Sequence, residues 1–330
     1  MMYLGVDLGF GANKLFGAAG GSELPSQVAI ATGEVVGRLA GMKSAKAPMR
    51  IEVGGVSYYV GAGAHDWGRP VESLDYERLN GTPEMLAVFY GALTQYARQA
   101  KMAEYNQPLT LLVGMPLEPL TGQPAAVKEV VARVKNWLKG RHEWAADKRP
   151  FVVEVADVNV TSQPTGALYD FLLNDEGKFY TDRKELVKKE VGVVSVGFNT
   201  VELLVAQNGA PVQRFTGGAT NGVRRLLELV NRDGLYSLGE LDTELRGGNL
   251  DYAGSLDLWG REIAGQVERQ WGKAWKRFGQ IIVVGGGSVL LNGNLSQMFN
   301  GKAAMPEQPV LAIARGLYKL AVMQERKRNG

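Results

Sequence analysis

The sequence of 330 residues contains no cysteine and only two histidines, His65 and His142. The lack of cysteine excludes disulfides, thiolate catalysis and cysteine metal sites, and so few histidines make a histidine-rich metal site unexpected. No apolar run is long enough to span a bilayer, and no signal-type segment opens the chain, because Asp7 interrupts the first apolar run. We therefore expect no membrane association and a cytoplasmic location.

The chain also lacks an excess of one charge. It has 37 basic and 34 acidic residues, and the net charge of +3 is too small to predict direct binding to nucleic acid. Its composition, 45% hydrophobic and 22% charged, is that of a soluble globular protein. A chain of this length fits about two domains, because single cores stop growing beyond roughly 250–300 residues.

The sequence does contain an internal repeat. Residues 3–21 recur at 191–209, and each copy predicts an apolar strand, a tight glycine turn and a second apolar strand. We therefore expect two similar domains, each presenting a glycine turn to one ligand between them. Aligned without a gap, the copies match at Gly9 and Gly197, Phe10 and Phe198, Ala18 and Ala206, and Gly21 and Gly209.

Hydrophobic periodicity and glycine or proline punctuation predict the remaining elements. Strands are expected at 3–8, 14–19, 109–116, 151–160 and 280–287, and hairpins at 51–61 and 191–206. Helices are expected at 83–102, from 124 onward, at 164–173, within 235–250, at 253–277 and at 307–324. The segment 33–50 has no clean period and is expected to be a mobile loop.

Glycine turns after apolar strands are the first candidates for chemistry. The chain has three of them, at Gly9–Asn13, Gly197–Thr200 and Gly285–Ser288. Such turns point several backbone N–H groups at one place, and glycine lets the backbone approach without a Cβ clash. Together they predict a site for phosphate oxygens.

Specific motifs carry a family resemblance. Residues 7–14 (DLGFGANK) resemble the first phosphate motif of the actin, sugar-kinase and chaperone ATPase superfamily, and 283–291 (VVGGGSVLL) resemble its adenosine motif. The chain is most similar to the prokaryotic actin-like proteins of the plasmid-segregating (ParM) and archaeal type. The similarity continues in order through LPSQVA at 24–29, YYVGAGA at 58–64, LLVGMPLE at 111–118, SQPTGALYDFLL at 162–173 and MPEQPVLAIARGLYKLA at 305–321.

The resemblance implies an α/β fold of two duplicated actin-like (ribonuclease H-like) domains with a nucleotide cleft between them. Domain I would comprise residues 1–162 plus 310–330, and domain II residues 163–309.

The resemblance also implies ATP or ADP with Mg²⁺ in that cleft. Asp7 would reach Mg²⁺ through water, because a hard cation prefers oxygen ligands, and Lys14 would offset phosphate charge. Gln163, at a helix N-terminus, would position the attacking water. The other implied nucleotide contacts are Gly9, Phe10, Gly11, Asn13, Gly197, Asn199, Thr200, Gly217, Gly218, Gly285, Gly286, Gly287 and Ser288. Arg224, Arg225 and Arg246 could contact base or phosphate, but a solvated face is favoured for each.

Ser195 departs from the family pattern. It falls on Asp7 in the repeat, and relatives carry there an aspartate that holds Mg²⁺ or orients the water. Serine can bind a water but contributes no charge, so weaker metal binding and slow hydrolysis are expected of the catalytic set Asp7, Gln163 and Ser195. Glu202 falls opposite Lys14 and could compensate. Regular alternation would put positions 195 and 202 on different faces, so Glu202 is expected to be a surface residue.

Three functions fit these observations. The first is an actin-like filament protein that binds and slowly hydrolyses ATP, polymerises with itself and moves DNA through a DNA-bound adaptor. The second is a small-molecule kinase of the same superfamily, although no convincing carboxylate base is visible. The third is a non-catalytic nucleotide-binding scaffold, because of Ser195.

Overall fold

The structure, a computed structural model, describes residues 1–33, 46–72, 76–291, 295 and 297–329. Most of the expected loop at 33–50 lies outside the described residues. Its described end corrects that expectation, because a strand begins at Met49.

The first sheet contains ten strands among the described residues, in the order β3-β2-β1-β8-β10-β9-β5-β6-β4-β7. Strand β1 is the third strand from one edge, antiparallel to β2 and parallel to β8, and β8 is parallel to β10. Strand β8 is buried along its whole length, as its unbroken apolar run predicts. The strands are β1 (Met2–Leu8), β2 (Ala12–Gly17), β3 (Gly20–Pro25), β4 (Val28–Ile30), β5 (Met49–Val53), β6 (Val56–Val60), β7 (Arg69–Pro70), β8 (Leu109–Met115), β9 (Gly140–Ala146) and β10 (Arg149–Ser162).

The second sheet follows the same plan on a smaller scale. Its order is β13-β12-β11-β15-β16, with β14 paired to β12. Strand β11 is antiparallel to β12 and parallel to β15, just as β1 is to β2 and β8. The internal repeat therefore forms an equivalent hairpin in each sheet. The strands are β11 (Val191–Val196), β12 (Val201–Gln207), β13 (Ala210–Pro211), β14 (Gly217–Ala219), β15 (Gln280–Val284) and β16 (Ala303–Ala304).

The helices begin at recognisable caps. Thr82 accepts a hydrogen bond from Met85 N at the start of α1, and Ser237 and Glu240 form a capping box at the start of α5. The helices are α1 (Pro83–Gln99), α2 (Pro124–Leu138), α3 (Gln163–Leu172), α4 (Val223–Val230), α5 (Leu238–Gly247), α6 (Ala253–Trp271), α7 (Gly286–Leu290) and α8 (Ala312–Asn329). Short 3-10 segments lie at Ala64–Asp66, Tyr76–Asn80, Glu118–Leu120, Thr181–Lys188, Gln213–Phe215 and Ala274–Arg277.

Helices α3 and α8 pack against each other between the two sheets. A Cβ on Gly316 would lie 1.8 Å from the backbone oxygen of Gly166, so the two backbones touch where glycines face each other. The buried carboxylate of Asp170 binds Arg315 at 2.6 Å and Lys319 at 2.9 Å. Both helices share an apolar cluster with strands of each sheet. The domain boundaries at 162 and 310 therefore stay a prediction, because the elements next to them contact both halves.

Most predicted elements are confirmed, with errors at their ends. The hairpin turn at Gly54 and Gly55 is confirmed, with positive φ at both residues. The helix expected at 253–277 ends at Trp271, where Gly272 takes a φ of 52°. The helix expected from 307 begins only at Ala312, because a proline at 309 disfavours helix at the residue before it. Strand β2, expected from residue 14, begins two residues earlier, at Ala12. Strands β3 and β9 were not predicted.

Candidate functional site

The two hairpin turns of the repeat meet between the sheets. A Cβ on Gly9 would lie 2.5 Å from the backbone oxygen of Ala12, and one on Gly197 would lie 3.2 Å from that of Thr200. The two turns therefore bend in the same way, and the closer contact makes glycine necessary at Gly9, whereas the contact at Gly197 is only tight. A Cβ on Gly11 would lie 2.6 Å from Cβ of Phe198, so the first turn rests directly on the second.

The third glycine turn joins the same place. Strand β15 ends at Val284, and Gly285 follows with a φ of 95°, which favours glycine. A Cβ there would lie 2.3 Å from the backbone oxygen of Val196, at the end of β11. Strand β15 was expected to run to 287. It is shorter because Gly286 already starts α7.

The three turns line one cavity of about 420 Å³ between the halves of the molecule. Twelve of the predicted site residues line it, namely Asp7, Gly9, Phe10, Gly11, Lys14, Gln163, Ser195, Gly197, Asn199, Thr200, Gly285 and Gly286. Five are outside its lining, namely Asn13, Gly217, Gly218, Gly287 and Ser288. A cavity of this size suits a small-molecule ligand, since ligand pockets span roughly 300–1,000 Å³.

Three of those five residues are buried in the structure around the cavity. Asn13 of β2 lies between Leu8 of β1 and Leu24 of β3. Because it is next to Lys14 in the strand, its side chain projects to the other face of the sheet. A Cβ on Gly287 would meet Val196 at 2.4 Å, and Ser288 is fully buried and donates to the backbone oxygen of Gly285. The spacing of these residues in the sequence does not predict whether their side chains face the cavity, because that depends on the side on which the cavity lies.

The remaining two lie on the far side of β12. Gly217 and Gly218 form β14, which pairs with Leu203 and Glu202. Their expected contact with nucleotide stays a prediction that the cavity lining does not support.

Asp7 is the central acid of the cavity. It is 3% exposed, and its Oδ1 accepts a hydrogen bond of 2.8 Å from the Gln163 side chain. Its Oδ2 lies 3.3 Å from Nζ of Lys14, the residue directly opposite on β2. Burial raises the pKa of Asp7, and the positive charge of Lys14 opposes that rise. The structure thus brings Gln163 next to a pair of residues, Asp7 and Lys14, that lies far from it in the chain.

Gln163 is the first residue of α3. Ser162 caps this helix by accepting a hydrogen bond from Thr165 N, and Pro164 fits the first turn, where no N–H is needed. The helix begins at the carboxyl end of β10, which is parallel to β1 through β8, so its N-terminus faces the end of β1. The partial positive charge of that terminus suits an anionic ligand.

Glu202 corrects the sequence analysis. It was expected on the surface, on a different face from Ser195, but it is 2% exposed and lies directly opposite Ser195 in the β11–β12 ladder. Directly opposite residues of an antiparallel pair project to the same face. Alternation along one strand does not apply here, because a turn reverses the chain between the two positions.

The surroundings of Glu202 connect the two halves. Its Oε1 accepts a hydrogen bond of 2.7 Å from the backbone N of Leu117, just after β8. Its Oε2 is buried without a hydrogen-bond partner among the described residues. Burial raises its pKa to about 8, the Leu117 hydrogen bond opposes this, and the negative charge of Asp7 adds to it.

The mouth of the cavity contains a charged cluster that the sequence did not reveal. Arg246 on α5 binds Glu23 at 2.8 Å and Asp242 at 2.9 Å, and it donates to the backbone oxygen of Gly11 at 3.3 Å. This cluster joins α5 to β3 and to the first turn. Arg246 was expected on a solvated face, and its partners could not be found from sequence because they come from distant segments without a motif.

The other two arginines agree with that expectation. Arg225 pairs with Glu262 at 2.8 Å, and Arg224 pairs with Glu228 at 2.7 Å along one helix face. Neither lines the cavity. Their charges are already used in surface ion pairs.

One carboxylate of the cavity wall, that of Asp7, suits a hydrated Mg²⁺ ion. Mg²⁺ keeps several waters and is usually held by one or two carboxylates together with phosphate oxygens. Among the described residues, no group of three or more histidine, aspartate or glutamate side chains could hold a metal ion.

Comparison with solved structures identifies the class of fold. The apo pSK41 ParM protein aligns with a TM-score of 0.73 at 16% identity, over 100% of this chain and 99% of that one. The archaeal actin homologue Ta0583, solved as a complex with ADP, aligns with a TM-score of 0.69 at 16% identity, over 99% and 100%. A ParM from a 15-stranded filament of Clostridium botulinum gives 0.70 at 16% identity, over 98% and 99%. The fold is that of the two-domain actin-like proteins.

The sequence itself shows a similarity over the first part of the chain. Residues 5–166 match the family model described as the N-terminal domain of actin-like proteins. The chain is thus similar in sequence to actin-like proteins over these residues, and over its whole length it has their fold. Curated protein sequences give no match. None of the described helices is long and apolar enough to cross a membrane.

Proposed function

We propose that this protein binds ATP in the cavity between its two sheets and polymerises with itself in the ATP-bound form. The observation that carries the proposal is the convergence of three glycine turns and the Asp7–Gln163 pair on one cavity. The ADP complex of Ta0583 and the ParM filament of Clostridium botulinum, proteins of the same fold, support it.

Different cavity residues would bind different parts of the nucleotide. The turns at Gly9–Gly11 and Gly197–Thr200 would direct backbone N–H groups at the β- and γ-phosphates, and the turn at Gly285 would lie against the α-phosphate and adenosine. Lys14 would offset phosphate charge. A bound Mg²⁺ would neutralise charge on the phosphates, and Asp7 would hold its water shell.

We further propose slow hydrolysis of ATP to ADP and phosphate. Gln163 would orient a water against the γ-phosphate, a role supported by its side chain lying beside Asp7 at the N-terminus of α3. Hydrolysis would weaken the polymer. We also propose a cytoplasmic location and a role in DNA segregation. The protein would act on DNA through an adaptor protein, without direct nucleic-acid contact.

A set of three measurements tests it. We expect saturable ATP binding, pelleting of the protein at high speed only with ATP and Mg²⁺, and slow phosphate release. Gln163→Ala should lower phosphate release by about 100-fold, the scale of a positioned acid–base or water-orienting group, with little loss of ATP affinity.

Arg225→Ala is the matched control for that variant, since it removes a side chain outside the cavity lining. It should leave ATP binding and phosphate release unchanged. Failure of the wild-type protein to bind ATP would refute the proposed function. Tight ATP binding without phosphate release would instead identify a nucleotide-binding scaffold.

A further inference from the structure

Gln27 is a residue of the LPSQVA motif for which the proposed function has no role. It lies between β3 and β4, directly after a residue that is bonded to the first glycine turn. The Ser26 hydroxyl donates a hydrogen bond of 2.8 Å to the backbone oxygen of Gly9. The backbone N of Ser26 donates one of 3.0 Å to the backbone oxygen of Gly11. Gln27 is therefore fixed on one side to the turn that lines the cavity.

The YYVGAGA motif holds Gln27 on the other side. The backbone oxygen of Gln27 accepts a hydrogen bond of 3.0 Å from Gly61 N, and its side-chain Oε1 accepts one of 2.9 Å from Gly63 N. Both glycines have a positive φ, of 99° and 75°, which glycine adopts without strain. Because Oε1 is engaged by its own half of the molecule, the amide Nε2 is left to bond elsewhere.

The amide of Gln27 bonds to helix α5 in the second half. Nε2 donates to Oδ2 of Asp242 at 3.2 Å and to Oγ1 of Thr243 at 3.0 Å. Asp242 is 4% exposed, and the same oxygen accepts a hydrogen bond of 2.9 Å from Arg246. Arg246 in turn binds Glu23 of the first half. Two polar bridges, one from Gln27 and one from Arg246, thus join α5 to the first half.

Helix α5 has two faces, one for each half of the molecule. Its apolar residues, spaced three and four apart, pack onto the core of the second half: Leu238, Leu241 and Leu245. Another face with the same spacing bonds to the first half: Gly239, Asp242, Thr243 and Arg246. The helix therefore belongs to the second half and forms hydrogen bonds across to the first.

Beside Gln27, polar bonds rather than close packing hold α5 to the first half. A second cavity, of about 140 Å³, lies between the halves at this place. Its lining includes Gln27 and Val28 of the first half, and Leu238 and Asp242 of α5. Atoms that line a void have no packing partner across it. Separation of α5 from Gln27 would therefore break hydrogen bonds but little apolar contact.

Helix α5 also borders the cavity to which ATP binding is assigned. Asp242, Leu245 and Arg246 line that cavity. Glu23, the partner of Arg246 in the first half, lines it as well. Gln27 is outside the lining. A ligand in the cavity is thus enclosed on this side by residues of α5, whereas Gln27 binds α5 from outside.

We propose that Gln27 fastens α5 across the mouth of the cavity, and that its bonds to Asp242 and Thr243 break during nucleotide entry and release. This inference rests on the proposed binding of ATP. Gln27 is a positioning residue, because it acts on the nucleotide only through α5. A weaker bridge speeds association and dissociation alike, since it favours the open cavity without changing what the nucleotide contacts.

Gln27→Glu tests this bridge with a minimal change. The Oε1 that accepts from Gly63 N is kept, while an oxygen replaces the nitrogen that donates to Asp242, so that two carboxyl groups meet. Stopped-flow measurements with a fluorescent ADP analogue follow both rates. Each rate should rise about tenfold, because a hydrogen bond to a charged group is lost, and the Kd should stay within about threefold.

Thr243→Val tests the same bridge from the other side with a side chain of similar shape. It should raise both rates about threefold, and its effect should be smaller when Gln27→Glu is already present, because the two changes break one bridge. Gln207→Glu is the matched control, the same change at an exposed glutamine outside the cavity lining. It should leave both rates unchanged.

The association rate separates this role from a purely structural one. A residue that only stabilises the fold or the bound state would, when replaced, weaken binding without faster association. An unchanged association rate in Gln27→Glu would therefore overturn the proposal, as would an equal rise in Gln207→Glu.

A cross-link can close the same bridge, because the chain has no cysteine of its own. In Gln27→Cys/Thr243→Cys, nucleotide exchange should be faster than in the wild type while the thiols are free. Once a short reducible linker joins the two thiols, exchange should fall below that of the wild type, and reduction should restore it. Exchange that stays fast in the cross-linked protein would contradict the proposed opening.

A measurement without nucleotide keeps this result separate from the proposed function. Ser195 lines the cavity, so Ser195→Cys places a single thiol there. Iodoacetamide should modify that thiol about tenfold faster when Gln27→Glu is also present, because the cavity opens more often. If the wild type binds no ATP, the proposed function fails, and the modification rates still decide whether Gln27 holds α5 closed. Equal rates with and without Gln27→Glu would overturn that role.

Discussion

Replacement of Glu202 by glutamine should change how the stability of the protein depends on pH. Burial raises the pKa of Glu202 from 4.5 to about 8 in the folded protein. Between pH 4.5 and about pH 8, Glu202 keeps its proton in the folded state but has lost it in the unfolded state. The contribution of Glu202 to the free energy of unfolding therefore falls as the pH rises through this range. The loss is about 1.4 kcal/mol for each pH unit, and about 2 kcal/mol between pH 6 and pH 7.5.

Glutamine does not titrate, so the variant lacks this slope. The free energy of unfolding of Glu202→Gln, relative to that of the wild type, should therefore rise by about 2 kcal/mol from pH 6 to pH 7.5 and level off above about pH 8.5. Urea unfolding at a series of pH values, without nucleotide or Mg²⁺, measures this difference.

The matched control for this measurement is Glu154→Gln, the same change at an exposed position of β10. Its difference from the wild type should stay constant over the same pH range. The reasoning is refuted if the Glu202→Gln difference is equally flat, since a buried carboxyl group that keeps its proton must produce the slope.

Three further predictions follow from the packing. Gly316→Ala should destabilise the protein by about 3 kcal/mol in urea unfolding, because its Cβ would lie 1.8 Å from the backbone of α3, and a loss below about 1 kcal/mol would contradict the close contact. Asp170→Asn should cost about 3–5 kcal/mol in the same assay, because it leaves the buried Lys319 without its closest counter-charge; an unchanged midpoint would argue against that ion pair. Gly11→Ala should weaken ATP binding at least tenfold in a titration, since its Cβ would push against Phe198 and separate the two turns, and full affinity would show that the turns need not touch.

Much of the fold could be predicted from local patterns. The strand, glycine turn and strand of each repeat copy are confirmed as equivalent hairpins of the two sheets. The apolar run at 109–115 is confirmed as a fully buried strand. These predictions succeeded because alternation, apolar runs and glycine turns are properties of short segments.

Other elements could not be predicted, because distant residues decide them. Strand β3 has little apolar character and exists because β2 pairs with it. Helix α8 begins at Ala312 rather than at 307, after Pro309 O accepts a hydrogen bond from Gly285 N. Segment patterns contain no information about such partners.

The candidate site, too, was predicted only in part from the sequence. The motifs predicted Asp7, Lys14 and Gln163 as site residues, and in the structure Lys14 and Gln163 each lie within ion-pair or hydrogen-bond distance of Asp7. The motifs offered Arg246 only as a possible contact and favoured a solvated face for it. Its ion pair with Glu23 could not be predicted, because the two residues belong to segments far apart in the chain.

By itself, the sequence determined the repeat, its glycine turns and the mismatch of Ser195 with Asp7, because each of these is a matter of residue identity at a fixed spacing. Only the tertiary structure decided where the remaining acid of the second hairpin lies. A turn pairs Ser195 with Glu202, and β14 and the loop after β8 then bury that carboxyl group beside Asp7. The two copies of the repeat differ, therefore, in the strand that holds the acid.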